Sequence, residues 1–157
     1  MARIFVVDDD RSIRELLQIA LELEGYEVTV FGNGRQMLES LEAIQRAQSD
    51  ATPAGWRCLP EPPGVILMDL MMPVMDGWAA CQYLEAHSEL LAHSRLIAMS
   101  AAAEAGDAIP PQAQMLLCKP FHLDHLLELV ASQMEALTVS PEPERLPVSS
   151  LAMLRAG

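Results

Sequence analysis

The stretch Val65-Ile66-Leu67-Met68-Asp69-Leu70-Met71-Met72-Pro73-Val74-Met75-Asp76-Gly77 decides how the rest of the chain is read. It opens as an unbroken apolar run, the pattern of a strand buried on both faces. The run stops on a carboxylate, Asp69, and Pro73 and Gly77 punctuate the loop beyond it. An acid at the tip of a buried strand, with the backbone turning directly after it, is placed to react or to hold a metal. What surrounds Asp69 therefore settles the function.

Upstream, Ile4-Phe5-Val6-Val7 reads as a first buried strand that ends on Asp8-Asp9-Asp10. Ile13, Leu16, Leu17, Ala20 and Leu21 then recur at helical spacing, with Asp10 as the N-cap and Gly25 closing the C-terminus. Glu27 to Phe31 alternates as a second strand, and Met37, Leu38, Leu41 and Ile44 mark a second helix. Ala47 to Gly64 breaks this rhythm with Pro53, Pro60, Pro62 and Pro63, where such connections usually take ~2–6 residues. It reads as a surface insertion that Trp56 and Leu59 either pin to the domain or leave mobile.

Downstream, a helix is expected from Gly77 to His87 with Trp78, Cys81 and Leu84 inward. Leu96 to Ser100 reads as a fourth strand, and Met115 to Cys118 as a fifth that runs into Lys119-Pro120. Between them Ala101 to Ala108 is a weak helix candidate, interrupted by Gly106 and Pro110-Pro111. Leu123, Leu126, Leu127, Val130, Met134 and Leu137 make a last helix. Five strands alternating with helices indicate an α/β fold, a doubly wound parallel sheet covered by helices on both faces. One domain is expected over 1–137, with a Pro- and Ser-containing tail over 138–157 that is either flexible or carries a small helix near Ser149 to Leu154.

Composition narrows the function classes. A formal net charge of -12, from 22 acidic and 10 basic side chains, argues against nucleic-acid binding, which relies on clustered Lys and Arg. No apolar run approaches the ~18 residues of a membrane span, and no basic-then-apolar leader opens the sequence. Cys58, Cys81 and Cys118 form no metal-binding pair and read as free thiols in a reducing compartment. A cytoplasmic, soluble protein is expected.

Polar residues end four of the five strands: Asp8 and Asp9, Asp69, Ser100 and Lys119. In an open α/β sheet these C-terminal strand ends share one edge, and ligands bind where strand order reverses. With order 2-1-3-4-5, Asp8, Asp9 and Asp69 meet in one cleft with Ser100 and Lys119 beside them. Two carboxylates ~5 Å apart repel by roughly 3 kcal/mol at an effective dielectric near 20. A hard divalent cation relieves that repulsion, and Mg²⁺ is the default for an all-oxygen site. Asp10 and Asp76 read as helix caps rather than ligands. His87, His93, His122 and His125 lack metal spacing, and Met71, Met72 and Met75 read as packing.

With these residues in order, the chain resembles the receiver domains of two-component response regulators, the CheY-like family. The match rests on Val6-Val7-Asp8-Asp9, Met68-Asp69 with Met72-Pro73 and Asp76-Gly77, Ser100-Ala101, and Lys119-Pro120-Phe121. The resemblance implies that Asp69 accepts a phosphoryl group from a phosphohistidine on a histidine kinase or histidine phosphotransfer protein. It implies that Asp9, Asp69 and the backbone carbonyl of Met71 bind Mg²⁺ directly, with Asp8 acting through water. Lys119 and Ser100 would contact the phosphoryl oxygens, and Pro120 would follow a cis peptide bond. Such a domain catalyses only its own phosphorylation and dephosphorylation, and it switches contacts with a downstream protein effector. An aspartate-dependent phosphatase is the enzymatic rival, but it wants an acid two residues after the nucleophile, where Met71 stands.

Three features depart from the family pattern. Leu116 occupies the position of a switch aromatic that normally moves with Ser100. The segment between Ser100 and Lys119 is short and interrupted by proline, which leaves the family's dimerisation surface, and hence the oligomeric state, open. The insertion over 47–64 has no family counterpart. The competing reading is therefore an interaction module that keeps the fold and binds partners independently of phosphorylation.

Overall fold

The computed structural model describes residues 2–50, 60–72, 74–101, 109–110 and 112–139. Five parallel strands form one sheet: β1 (Arg3–Val7), β2 (Glu27–Phe31), β3 (Val65–Asp69), β4 (Arg95–Ala101) and β5 (Ala113–Lys119), in the order β2-β1-β3-β4-β5. The described helices are α1 (Arg11–Leu23), α2 (Gly34–Ser49), α3 (Gly77–Ala86) and α4 (Leu123–Val139), with a 3₁₀ turn at Ser88–Leu91. This is the doubly wound order read from the sequence.

Alternation along the strands builds two cores. Phe5, Val7, Ile66, Met68 and Leu96 face one way and pack against Met37, Leu38, Leu41 and Ile44 of α2 and Ala80, Cys81 and Leu84 of α3. Ile4, Val6, Leu67, Ile97 and Met99 face the other way, onto Leu17 and Leu21 of α1 and Leu126 and Val130 of α4. All five residues of β3 are buried, as expected for a central parallel strand with helices on both faces.

Local chemistry fixes the helix ends. The Asp10 carboxylate accepts from Ser12 and Ile13 N–H, Asn33 from Gln36, and Asp76 from Ala79. Gly25 lies beyond the end of α1 at φ +96°, where glycine carries no steric penalty. Asp10, Asp76 and Gly25 thus hold the roles expected of them.

Several boundaries differ from the sequence reading. Leu16 is 52% exposed rather than buried, because α1 is apolar on more than one side and Leu17 and Leu21 take the inward face. Ala80 is buried in α3 while Trp78 is only half-buried. β5 begins at Ala113, two residues earlier than expected: Ala113 pairs with Leu96 ahead of a register shift, where the unpaired Gln114 accepts from Leu96 N–H with its side chain. The insertion is narrower than 47–64: α2 runs through Ser49, and Gly64 N–H donates to the Arg3 carbonyl at the start of β1. Trp56, Leu59, Cys58, Pro73, residues 102–108 and the tail from 140 onward lie outside the described residues.

Candidate functional site

The site stands on strand ends. Asp8 follows the last residue of β1, Asp69 ends β3, Lys119 ends β5, and Ser100 is the penultimate residue of β4. β1 and β3 are neighbours although α1, β2 and α2 intervene in sequence, so the strand order reverses between them. That reversal brings carboxylates from distant parts of the chain together. Oxygens of Asp8, Asp9 and Asp69 all lie within 4.8 Å of one another, and this is the one such cluster among the described residues.

Each buried acid is tied down. Asp8, fully buried, accepts from Asp10 N–H at 2.9 Å with one oxygen and from Lys119 Nζ at 2.9 Å with the other. Asp69 accepts from Met71 N–H at 3.2 Å and from Lys119 Nζ at 3.2 Å. Asp9 is exposed, with a carboxylate oxygen still within 4.8 Å of those of Asp8 and Asp69. Lys119 thus bridges both buried carboxylates. The Lys119–Pro120 peptide is cis, as the resemblance implied.

Burial pushes the Asp8 carboxyl above its ordinary 3.8; the Asp10 N–H and Lys119 oppose the shift, and the nearby charge of Asp69 adds to it. Burial also works against the charge of Lys119, but the hydrogen bond and charge of Asp8, with Asp69 beside it, hold its pKa above 10.5. The site therefore carries a fixed cation and more negative charge than that cation balances. A donor set made only of carboxylate oxygens, one of them strained toward protonation, fits a hard divalent cation.

Backbone contacts hold the loop that follows Asp69. Gly77 N–H donates to the Leu70 carbonyl at 3.0 Å, and Gly34 N–H to the Met75 carbonyl at 3.2 Å. A Cβ on Gly77 would stand 2.5 Å from the Asp69 carbonyl oxygen, so only glycine permits this approach. Val74 adopts φ 68°, an unusual conformation for a β-branched residue, and is 75% exposed on the rim. Met71 is also exposed.

The other candidates stay apart from this cluster. His93, His122 and His125 are exposed, and His87 stacks on Tyr83 with ring centroids 4.1 Å apart. Cys81 is buried, which drives its thiol up to about 12 with help from Asp76, and Cys118 is exposed. A cavity of about 610 Å³, lined by His93, Arg95, Gln114 and Leu137 among others, opens by the starts of β4 and β5, the opposite edge of the sheet. Two residues went unnoticed in the sequence. One is Gly77 as a close-approach point. The other is Arg14, whose Nη1 donates to the Asp8 carbonyl oxygen at 2.7 Å and which reads in sequence as a solvated helix residue.

A family model described as response regulator receiver domain matches residues 4–131. The chain belongs to this family. Over 142 residues this receiver is 32% identical to the response regulator MprA of Mycobacterium avium (strain 104), a match spanning 90% of the chain and 53% of the relative. The chain thus spans about half the length of the curated relatives it matches. It is similar to the response regulator protein TrrA from Thermotoga maritima, solved in complex with Mg²⁺-BeF, at 25% identity and TM-score 0.65 over 85% of this chain and 99% of that one. The signal receiver domain of a signal transduction histidine kinase from Syntrophus aciditrophicus shares the fold at TM-score 0.69 and 22% identity, over 90% and 96% of the two chains. Among the described residues, no helix of this receiver is long and apolar enough to cross a membrane.

Proposed function

We propose that the chain is the phosphoacceptor of a two-component relay, with Asp69 as the residue modified and residues 1–137 as the receiver. The observation that carries this reading is the placement of Asp69: buried at a strand end, 3.2 Å from Lys119 and clustered with Asp8 and Asp9 at the strand-order reversal. The likeness to TrrA, whose structure contains Mg²⁺-BeF, supports Mg²⁺ as the metal, held by Asp9, Asp69 and the Met71 carbonyl with Asp8 through water. Bound there, the ion supplies positive charge for the phosphoryl oxygens.

The protein's own part is positioning and charge neutralisation, which is what phosphoryl transfer asks of it. An Asp69 carboxylate oxygen attacks phosphorus. The phosphorus–nitrogen bond to the donor imidazole breaks, its electron pair stays on nitrogen, and an aspartyl phosphate forms. Lys119, held cationic by its two acidic neighbours, turns to a phosphoryl oxygen. Ser100, buried on the next strand, offers its hydroxyl to another. Water later attacks phosphorus and restores the carboxylate. Partners are a histidine kinase or phosphotransfer protein upstream and a protein effector downstream.

Incubation with Mg²⁺ and acetyl phosphate tests this by intact-mass measurement. One added phosphate is expected, absent in Asp69→Asn. No addition to the wild type, or addition that survives the substitution, refutes the reading. Leu116 in place of an aromatic favours one alternative, a module that binds partners in either state. Effector affinity unchanged by phosphorylation would select it.

A further inference from the structure

Arg14 lies on α1, one turn after the cap, with its own N–H donating to the Asp10 carbonyl at 3.0 Å. Its side chain turns back over that cap. Nη1 donates to the Asp8 carbonyl oxygen at 2.7 Å, a charge-assisted bond. The same nitrogen is 3.7 Å from where a Cβ on Gly32 would stand, so the guanidinium lies over the turn between β2 and α2. Among the described residues Arg14 makes no ion pair, and its charge is directed at a carbonyl and not at a carboxylate.

The bonded carbonyl belongs to the peptide joining Asp8 to Asp9. A peptide is planar, so fixing its oxygen fixes the plane from which the Asp9 residue departs. This matters because the two acids are held differently. Asp10 N–H and Lys119 hold the Asp8 carboxylate, whereas no hydrogen bond among the described residues holds that of Asp9. The direction of Asp9 therefore rests on its backbone, and the backbone rests on Arg14.

We propose that Arg14 is a positioning residue of the acceptor site, locking the Asp8–Asp9 peptide so that the Asp9 carboxylate stays with Asp8 and Asp69 to receive a divalent cation. The proposal builds on the receiver reading, in which that cation is Mg²⁺. Its effect is exerted on metal affinity before any phosphoryl group arrives.

The test is a Mg²⁺ titration of the full chain, with and without substitution, followed by amide NMR shifts and paired with thermal unfolding in EDTA. Arg14→Ala should weaken Mg²⁺ binding about tenfold, the low end of the cost of removing a group behind a metal ligand. Arg14→Lys, which keeps the charge and one donor, should restore affinity to within about threefold. In the metal-free protein the Asp9 amide should also exchange faster in Arg14→Ala. If Arg14→Ala fails to fold, Arg14→Gln, too short to reach the carbonyl, takes its place. Unchanged Mg²⁺ affinity with a lowered melting temperature makes Arg14 merely a staple of α1 and overturns the proposal. Tighter binding also overturns it, because it shows Arg14 acting only as a repelling charge. If the wild type takes up no Mg²⁺ at all, the phosphoacceptor reading itself fails, and that outcome is visible before any variant is compared.

Discussion

Replacing Asp69 with asparagine should stabilise the metal-free protein. Asp69 is 6% exposed, and its carboxylate lies within 4.8 Å of those of Asp8 and Asp9. At an effective dielectric of ~20, a like charge at 4.8 Å costs about 3.5 kcal/mol, while Lys119 at 3.2 Å returns about 5 kcal/mol. Asp8 contributes its repulsion in full, whereas exposed Asp9 contributes less because water screens it. The Coulomb terms thus roughly cancel, and the burial cost of the carboxylate, several kcal/mol per ion, decides the sign. An amide escapes most of that cost and can still accept from Met71 N–H. Lys119 keeps its shorter bond to Asp8.

A net gain of about 2 kcal/mol is expected, or roughly 4–8 °C in melting temperature for a chain of this size. Circular dichroism melts in EDTA at pH 7.5 read it directly. The pH dependence carries its own sign. Asp8 has a folded pKa raised above its unfolded value, chiefly by burial and in smaller part by the charge of Asp69. The folded wild type therefore holds this proton more tightly than the unfolded chain, and its stability falls as pH rises from near 3.8 through the raised value. Asp69→Asn removes one cause of the shift, so its advantage should be greatest at neutral pH and shrink toward pH 4. Saturating Mg²⁺ should raise the melting temperature of the wild type and narrow the gap to the variant. A variant less stable than wild type at pH 7.5, or one whose advantage grows in acid, refutes the account of a strained acidic cluster.

Two further substitutions probe the loop after Asp69. Gly77→Ala puts a methyl 2.5 Å from the Asp69 carbonyl and 2.7 Å from the Leu70 Cα; it should cost about 3 kcal/mol in urea unfolding and slow phosphorylation by acetyl phosphate. Val74→Asn should instead stabilise by about 1 kcal/mol, because asparagine tolerates the φ of 68° that valine resists, with the urea midpoint as readout.

The strands were legible because a parallel sheet covered on both faces writes its interior as apolar runs, and four of the five strands here end at a polar residue. Val65 to Met68 followed by Asp69 shows this most clearly, and the same pattern exposed Asp8, Ser100 and Lys119. Legibility failed where one residue can serve two environments. Leu16 fits the helical stripe of α1 as well as Leu17 does, and only the docking of the helix decided that Leu16 faces solvent. Arg14 was hidden for the opposite reason. Its spacing says surface, and its function depends on a side chain folding back to a carbonyl, which leaves no periodic trace. Gly77 read as punctuation, but its necessity comes from the backbone of Asp69 pressing against it.

Leu116 shows how far geometry can stand in for a missing side chain. Parallel register pairs Ala98 with Leu116 and Ser100 with Cys118, so Ser100 and Leu116 emerge on the same face of adjacent strands, two residues apart along them. That face is the one that carries α2 and α3, since Leu96, two residues before Ala98, packs there. A hydroxyl drawn toward a phosphoryl group on Asp69 would vacate space on this face, and Leu116, half-buried, is the side chain beside it. An aromatic ring in that place would change the outer surface by a large, flat area and a polar tip. Leucine fills the same space by a change of rotamer and alters the surface far less. On the proposed reading, this register would link Asp69 to the edge strand through Ser100 and Leu116, and leucine at 116 would limit how much of a phosphorylation an effector could read there.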